Sequence, residues 1–326
     1  MISGGRLRAV GGIAGMAALA SAGVAGTVRT LRRYRAAMQE VVASLRSGSH
    51  IALTPVGPVE YASVGEGPAV LIAHGINGGY DQGLLAVRLI QDQPFRLVAV
   101  SRPGYLRTPL SVGRTPEEQA DAYAHLLDAL GIEHTVIVGI SGGGPSALQF
   151  VLRHPERCHA LVMVSAVSMR IAAQLTRRQL LMLNLLSRDF SLWLLGGASR
   201  RRLLAGSGIT PQDMERLRRD PEKEEIVLRI LQPLPMKMRR AGLDNDLEQF
   251  ARLPVYPVER ITAPTLVVHG TDDRIVPFAH AQFVAGKVAG GQLMPVEGGG
   301  HFCALIYKEQ VLPRLIEFLQ RATLSR

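Results

Sequence analysis

The chain has 326 residues, of which 47% are hydrophobic and 20% charged, and a formal net charge of +10. Those fractions exclude a disordered chain, and the two cysteines, Cys158 and Cys303, show neither a disulfide framework nor metal-ligand spacing. The length allows a full core in one enlarged domain or in two.

The charge is uneven. Residues 1–47 hold seven arginines against Glu40, a net of +6, and residues 170–240 net +8, which leaves −4 for the rest. The aromatic residues that interleave with basic ones in a nucleic-acid surface are missing, so no nucleic-acid partner is expected. An anionic membrane surface fits the distribution better.

In chain order, residues 9–28 come first, an uncharged run about one membrane span long. Five glycines with Ser21 and Thr27 weaken it. It reads as a membrane anchor, with Arg29, Arg32, Arg33 and Arg35 holding the following domain in the cytoplasm. It also reads as an export signal, with Arg6 and Arg8 as its charged start and Ala20-Ser21-Ala22 as the cleavage site. A third reading is a soluble helix joined to residues 30–45. The arginines after the run favour the anchor.

Residues 51–54 and 60–64 are expected as short strands, split by a Pro55-Val56-Gly57-Pro58 turn. Strands follow from Ala69 and over residues 96–101. Arg102 and Tyr105, in the turn after the second of these, are expected to be structural. A helix over residues 116–130 is well signalled: Thr115 is the N-cap, Pro116 is first, Glu118 completes a capping box and Gly131 stops it. Strand 134–139, helix 145–153 and strand 160–165 continue the alternation, which implies a parallel sheet covered on both faces. The alternation then breaks. Leu180, Met182, Leu183 and Leu186, then Leu192, Trp193 and Leu195, recur at helical spacing, and Asp244 and Asp246 are expected as caps or solvated carboxylates. Strands return at residues 264–270 and 293–297.

Four segments carry chemistry. The β-branched run Val136-Ile137-Val138 enters Gly139-Ile140-Ser141-Gly142-Gly143, and helix formers follow. This is the strand–turn–helix pattern that lifts a serine hydroxyl onto a strained tip, with Gly139 and Gly143 as the glycines that let strand and helix approach. A hydroxyl nucleophile needs a base and an orienting acid. Asp272 and Asp273 follow one downstream strand. His301 follows three glycines at the end of the other, on a pliable loop rather than in a core. Upstream, an apolar strand runs into His74-Gly75-Ile76-Asn77-Gly78-Gly79, a tight loop able to aim backbone N–H groups at an oxyanion.

These segments, in this order and spacing, resemble the α/β-hydrolase superfamily over roughly residues 50–323. The resemblance implies an α/β fold with a mostly parallel, doubly wound sheet flanked by helices. Residues 48–167 and 258–326 would form this core, with a helical cap inserted over 168–257 and residues 1–47 as an N-terminal apolar segment and basic helix. It implies Ser141 as nucleophile and His301 as base. Asp273 would be the acid, third after the glycine in the Gly-x-x-Asp-x-x-Val-Pro pattern, and Asp272 a capping or solvated carboxylate. The N–H groups of Ile76 and Gly142 would form the oxyanion hole, while His74 would hold its loop. Cys303 is read as a small apolar filler near the site. No metal and no organic cofactor is implied. The expected activity is hydrolysis of small-molecule carboxylic esters, with a basic, apolar cap favouring lipophilic acyl groups. The rivals are a carbon–carbon bond hydrolase of dienone acids, a cofactor-free peroxidase, an aminopeptidase and a non-catalytic membrane-associated relative.

Overall fold

The computed structural model describes residues 5–171, 189–195, 204, 207–231 and 234–324. The chain divides into two compact units, Met1–Ser44 and Leu45–Arg326. One helix, α1 (Gly5–Ser47), makes up the first and ends just inside the second. Among the described residues no helix is long and apolar enough to cross a membrane. The anchor expected at residues 9–28 therefore finds no support; its five glycines dilute the apolar run.

The second unit is built on an eight-stranded sheet. Its strands are β1 (His50–Thr54), β2 (Gly57–Val64), β3 (Ala69–Ala73), β4 (Arg96–Val100), β5 (Thr135–Ile140), β6 (Cys158–Val164), β7 (Thr265–Gly270) and β8 (Gln292–Val296). Their order is β1-β2-β4-β3-β5-β6-β7-β8. The β1–β2 and β2–β4 pairs are antiparallel, and all others are parallel. The first turn is tighter than the sequence suggests: Thr54 faces Gly57, and Pro58 lies within β2 opposite Leu53. Proline is tolerated there because β4 pairs with β2 only from Tyr61 onward, so no ladder on that side needs its missing N–H.

The central strands are continuous apolar runs, as strands covered on both faces must be; Val70, Leu71, Ile72 and Ala73 are wholly buried. The helices α2 (Tyr80–Val87), α3 (Pro116–Ala129) and α4 (Gly144–Arg153) flank the sheet. Leu71, Val98, Ile137, Leu161 and Met163 pack with α3, α4 and the helix Ala279–Lys287 in one core. The capping box of α3 forms as read, with Thr115 and Glu118 bonded reciprocally. The other face carries α2 and the helix Lys308–Leu324. α2 lies so close that a Cβ on Gly83 would stand 3.1 Å from the Ala99 methyl.

Between β6 and β7 the described helices are Asp189–Leu195, Pro211–Arg219, Pro221–Leu231 and Arg240–Phe250. Leu180, Met182, Leu183 and Leu186 lie outside the described residues; Leu192 and Trp193 are half-buried. The end of this segment joins the main core through Phe250, Leu253 and Tyr256. Asp246 corrects the sequence reading. It is neither a cap nor solvated but 2% exposed, paired with the buried Arg102 guanidinium and accepting the Tyr105 hydroxyl at 2.6 Å. A guanidinium taken out of water needs a carboxylate partner, and Asp246 supplies it. Asp244 stays exposed and pairs with Arg240 at 2.8 Å.

Candidate active site

β5 ends at Ile140, and Ser141 takes a left-handed conformation, φ 49°, before the chain enters α4. The close approach of strand and helix explains the flanking glycines. A Cβ on Gly139 would fall 2.7 Å from the Ala147 Cβ, and one on Gly143 would meet the carbonyl oxygens of Ala73 and His74. The backbone strain at Ser141 leaves its hydroxyl on the tip of the turn.

The structure brings Ser141, His301 and Asp273 into one hydrogen-bonded line. His301 Nε2 lies 3.0 Å from Ser141 Oγ, and His301 Nδ1 lies 2.8 Å from Asp273 Oδ2. Asp273 Oδ1 accepts the N–H groups of Ile275 and Val276 at 2.8 and 3.0 Å. Burial opposes the charge on this carboxylate, but hydrogen bonds from His269 and His301 outweigh it. The Asp273 carboxyl is held well below the usual carboxylate range. An ionised carboxylate only accepts. Nδ1 of His301 therefore carries the proton, and Nε2 turns its lone pair to the serine hydroxyl. His269, wholly buried, sits behind, with Nε2 2.8 Å from the Val276 carbonyl and 3.3 Å from Asp273 Oδ2. Asp272 is exposed and outside this line.

The loop bearing His301 is fastened from below. Asp213 Oδ2 accepts the N–H groups of Gly300 and Thr210 at 3.0 and 2.9 Å. The His301 N–H donates to the Gly208 carbonyl at 3.3 Å, and Thr210 Oγ1 donates to the Gly298 carbonyl at 3.0 Å. Burial pushes the Asp213 carboxyl up. Sequence reasoning missed Asp213. The Thr210-Pro211-x-Asp213 capping signature was there to be read, but its reach to Gly300 was not.

His74 is buried beside the serine but faces away from proton chemistry. The Arg102 N–H donates to Nε2 at 3.0 Å, so Nδ1 carries the proton and donates to the Gly75 carbonyl at 2.7 Å. Burial, reinforced by the Arg102 charge, keeps the ring neutral, with its pKa well below the ordinary histidine value. Its loop is also held by Arg239, which sequence reasoning missed. The guanidinium is wholly buried and donates to the Gly78 carbonyl at 2.6 Å and to Asp81 at 2.8 and 3.0 Å. So fixed, the loop sets the Ile76 amide against the turn after the serine: a Cβ on Gly142 would lie 3.1 Å from Ile76 N. Cys303 is wholly buried, 3.6 Å from Ser165 Oγ, and burial pushes its thiol up to about 12. It stays protonated and packs as filler.

The sequence model of the α/β-hydrolase fold matches residues 68–305. The chain belongs to the α/β-hydrolase family. A solved α/β-hydrolase fold protein from Nakamurella multipartita is 37% identical, with a TM-score of 0.76, over 84% of this chain and 99% of that one. An uncharacterized hydrolase of Bacillus subtilis, YcgS, is 26% identical over 256 residues, 75% of this chain and 88% of that protein. The 2-hydroxy-6-oxo-6-phenylhexa-2,4-dienoate hydrolase of Comamonas testosteroni is 26% identical over 277 residues, 81% of this chain and 91% of that protein.

In this α/β hydrolase a cavity of about 270 Å³ opens beside Ser141 and His301. Its polar lining is confined to a few groups, among them His74, Asn77, Gln82, Ser165 and Ser207, and the rest of its wall is apolar. The side-chain oxygens of Asn77 and Gln82 are buried without a partner among the described residues.

Proposed function

We propose that this chain is a serine hydrolase of carboxylic esters with lipophilic acyl groups. The observation that carries the reading is the Ser141–His301–Asp273 line, 3.0 and 2.8 Å between its members, with Ser141 and His301 lining a largely apolar cavity. Ser141 Oγ attacks the ester carbonyl carbon while its proton passes to His301 Nε2. The N–H groups of Ile76 and Gly142 receive the negative oxygen. The tetrahedral intermediate collapses, the carbon–oxygen bond breaks, and His301 gives the proton to the departing alkoxide, which leaves as the alcohol. Water, deprotonated by the same ring, then attacks the acyl-enzyme and releases the acid and Ser141. Asp273 holds the ring in the required tautomer and stabilises the imidazolium. Ser207, Ile230 and Leu231, from the segment between β6 and β7, line the cavity, which supports reading that segment as a cap.

The dienoate-hydrolase relative raises carbon–carbon bond cleavage by the same residues. That reaction calls for a cationic group to hold the substrate carboxylate. The described cavity lining contains neither arginine nor lysine, and Arg239 is already engaged by Asp81 and Gly78, so the ester reading is the better supported.

The test is turnover of p-nitrophenyl esters from acetate to palmitate by the wild type and by Ser141→Ala. The expected result is serine-dependent hydrolysis that prefers acyl groups longer than acetate. Fluorophosphonate labelling of Ser141 without ester turnover would redirect the search to carbon–carbon and amide substrates. Absence of both would leave a non-catalytic relative.

A further inference from the structure

The cavity is not confined to the space above the sheet. Val138 and Ile140 lie two apart on β5 and line it together with Val164 of β6. Val138 precedes Ser141 by three residues, so the cavity descends about 10 Å along the strand below the nucleophile. The opposing wall is the helix Lys308–Leu324, which contributes Val311, Leu315 and Leu319 at four-residue spacing. One helical face spans about 12 Å over those positions. α2 and the turn after it close the side with Ala86, Val87 and Ile90. Val138, Ile90 and Leu319 are 5, 2 and 0% exposed, so little accessible surface remains at the lower end, as in a slot that closes there.

The slot is therefore polar where the ester carbonyl must sit and apolar along its length. Which arm of the ester it takes follows from the order of bond breaking. The alcohol leaves first and water must replace it, so that arm needs an open route. The acyl arm stays covalently attached until the second step, and a blind slot suits the arm that stays. Building on the ester reading above, we propose that the slot between β5–β6 and the helix Lys308–Leu324 is an acyl-chain subsite. It takes a straight, medium-length acyl group such as octanoyl, and Ala86 and Leu315 set the length admitted. A cavity of about 270 Å³ lies just under the usual ligand-pocket range of roughly 300–1,000 Å³, which argues against palmitoyl.

The experiment compares kcat/KM across p-nitrophenyl esters of increasing acyl length for wild type, Leu315→Trp, Ala86→Leu and Leu315→Ala. Within the wild type, each methylene added as far as octanoyl is expected to raise kcat/KM about fourfold. The octanoate-to-acetate ratio, read within each variant and so independent of its folded fraction, should fall about tenfold or more in Leu315→Trp and Ala86→Leu. In Leu315→Ala the optimum should move to longer chains. A matched series of acetate esters of longer alcohols should give the same profile in all four proteins. Acyl-length profiles that coincide in the filled and emptied variants would overturn the subsite while leaving the esterase reading intact. So would a change confined to the alcohol series. A Ser141 that neither turns over any ester nor reacts with a methyl-arm fluorophosphonate would bring down the esterase reading and the subsite with it.

Discussion

The loops at the end of the sheet and the segment between β6 and β7 both bear on Ser141, by opposite means. The loops contribute the groups that line up with its hydroxyl, and each sits in a short local pattern: Gly139 to Gly143, Gly270 to Asp273, Gly298 to His301. The segment contributes buried charges that touch none of those groups directly. Asp246 neutralises Arg102, Arg239 grips the His74 loop, and Asp213 holds Gly300. Groups that meet the serine are encoded locally, while the groups that hold them in place are encoded at long range.

That contrast breaks most visibly in the loops. His301→Ala is expected to lower kcat about 10⁴–10⁶-fold while the denaturation midpoint stays near that of the wild type. A comparable loss of stability would mean that the loops are structural too. Asp246→Ala should do the reverse. It strands the Arg102 guanidinium in the core, which costs about 3–5 kcal/mol, read as a lower urea midpoint.

Asp213→Ala falls between the two. The Gly300 N–H loses its buried acceptor, a destabilisation of about 1–3 kcal/mol, and the His301 ring loses its register. Turnover should fall about tenfold with KM little changed, and Asp213→Asn, which keeps an acceptor oxygen, should recover part of it. A fall in KM alone would place Asp213 outside the positioning role.

A further effect lies in pH dependence. Burial, aided by the neighbouring His269, pushes His280 down to about 4, and its Nδ1 accepts the N–H groups of Ser168 and Met169. Its folded pKa lies below the unfolded value of 6.5, so the unfolded chain takes up the proton first as pH falls. Stability should rise with pH between about 4 and 6.5, and His74, shifted in the same direction, adds to the slope. Asp273 acts lower. Its carboxylate contributes above the unfolded value of about 3.9, and the contribution is lost as pH falls below that. Urea midpoints taken across this range check both, and His280→Asn should flatten the upper part.

The same contrast explains what was legible in the sequence. The strands of the sheet, the turn at Ser141 and the capping box of α3 are each written within a few neighbouring residues, and apart from the start of β2, at Gly57 rather than Glu60, their positions could be read to within a residue or two. α2 has Gly79 at its N-cap with no side-chain cap, and Lys308–Leu324 carries Pro313 inside it, so neither has the start or the composition that marks a helix. Asp246 reads as an ordinary surface carboxylate because its partner lies 144 residues away. Asp213 escapes notice because Gly300 is 87 residues away. The slot is assembled from β5, β6, α2 and the helix Lys308–Leu324, and no local pattern announces it.

The most direct test of Ser141 as the reacting group is the intact mass of the protein after exposure to an octyl fluorophosphonate, followed by mapping of the modified peptide. One adduct is expected, on the peptide carrying Ser141, and none in Ser141→Ala or His301→Ala on the same timescale. No adduct on the wild type, or an adduct at another residue, would contradict a serine activated by His301.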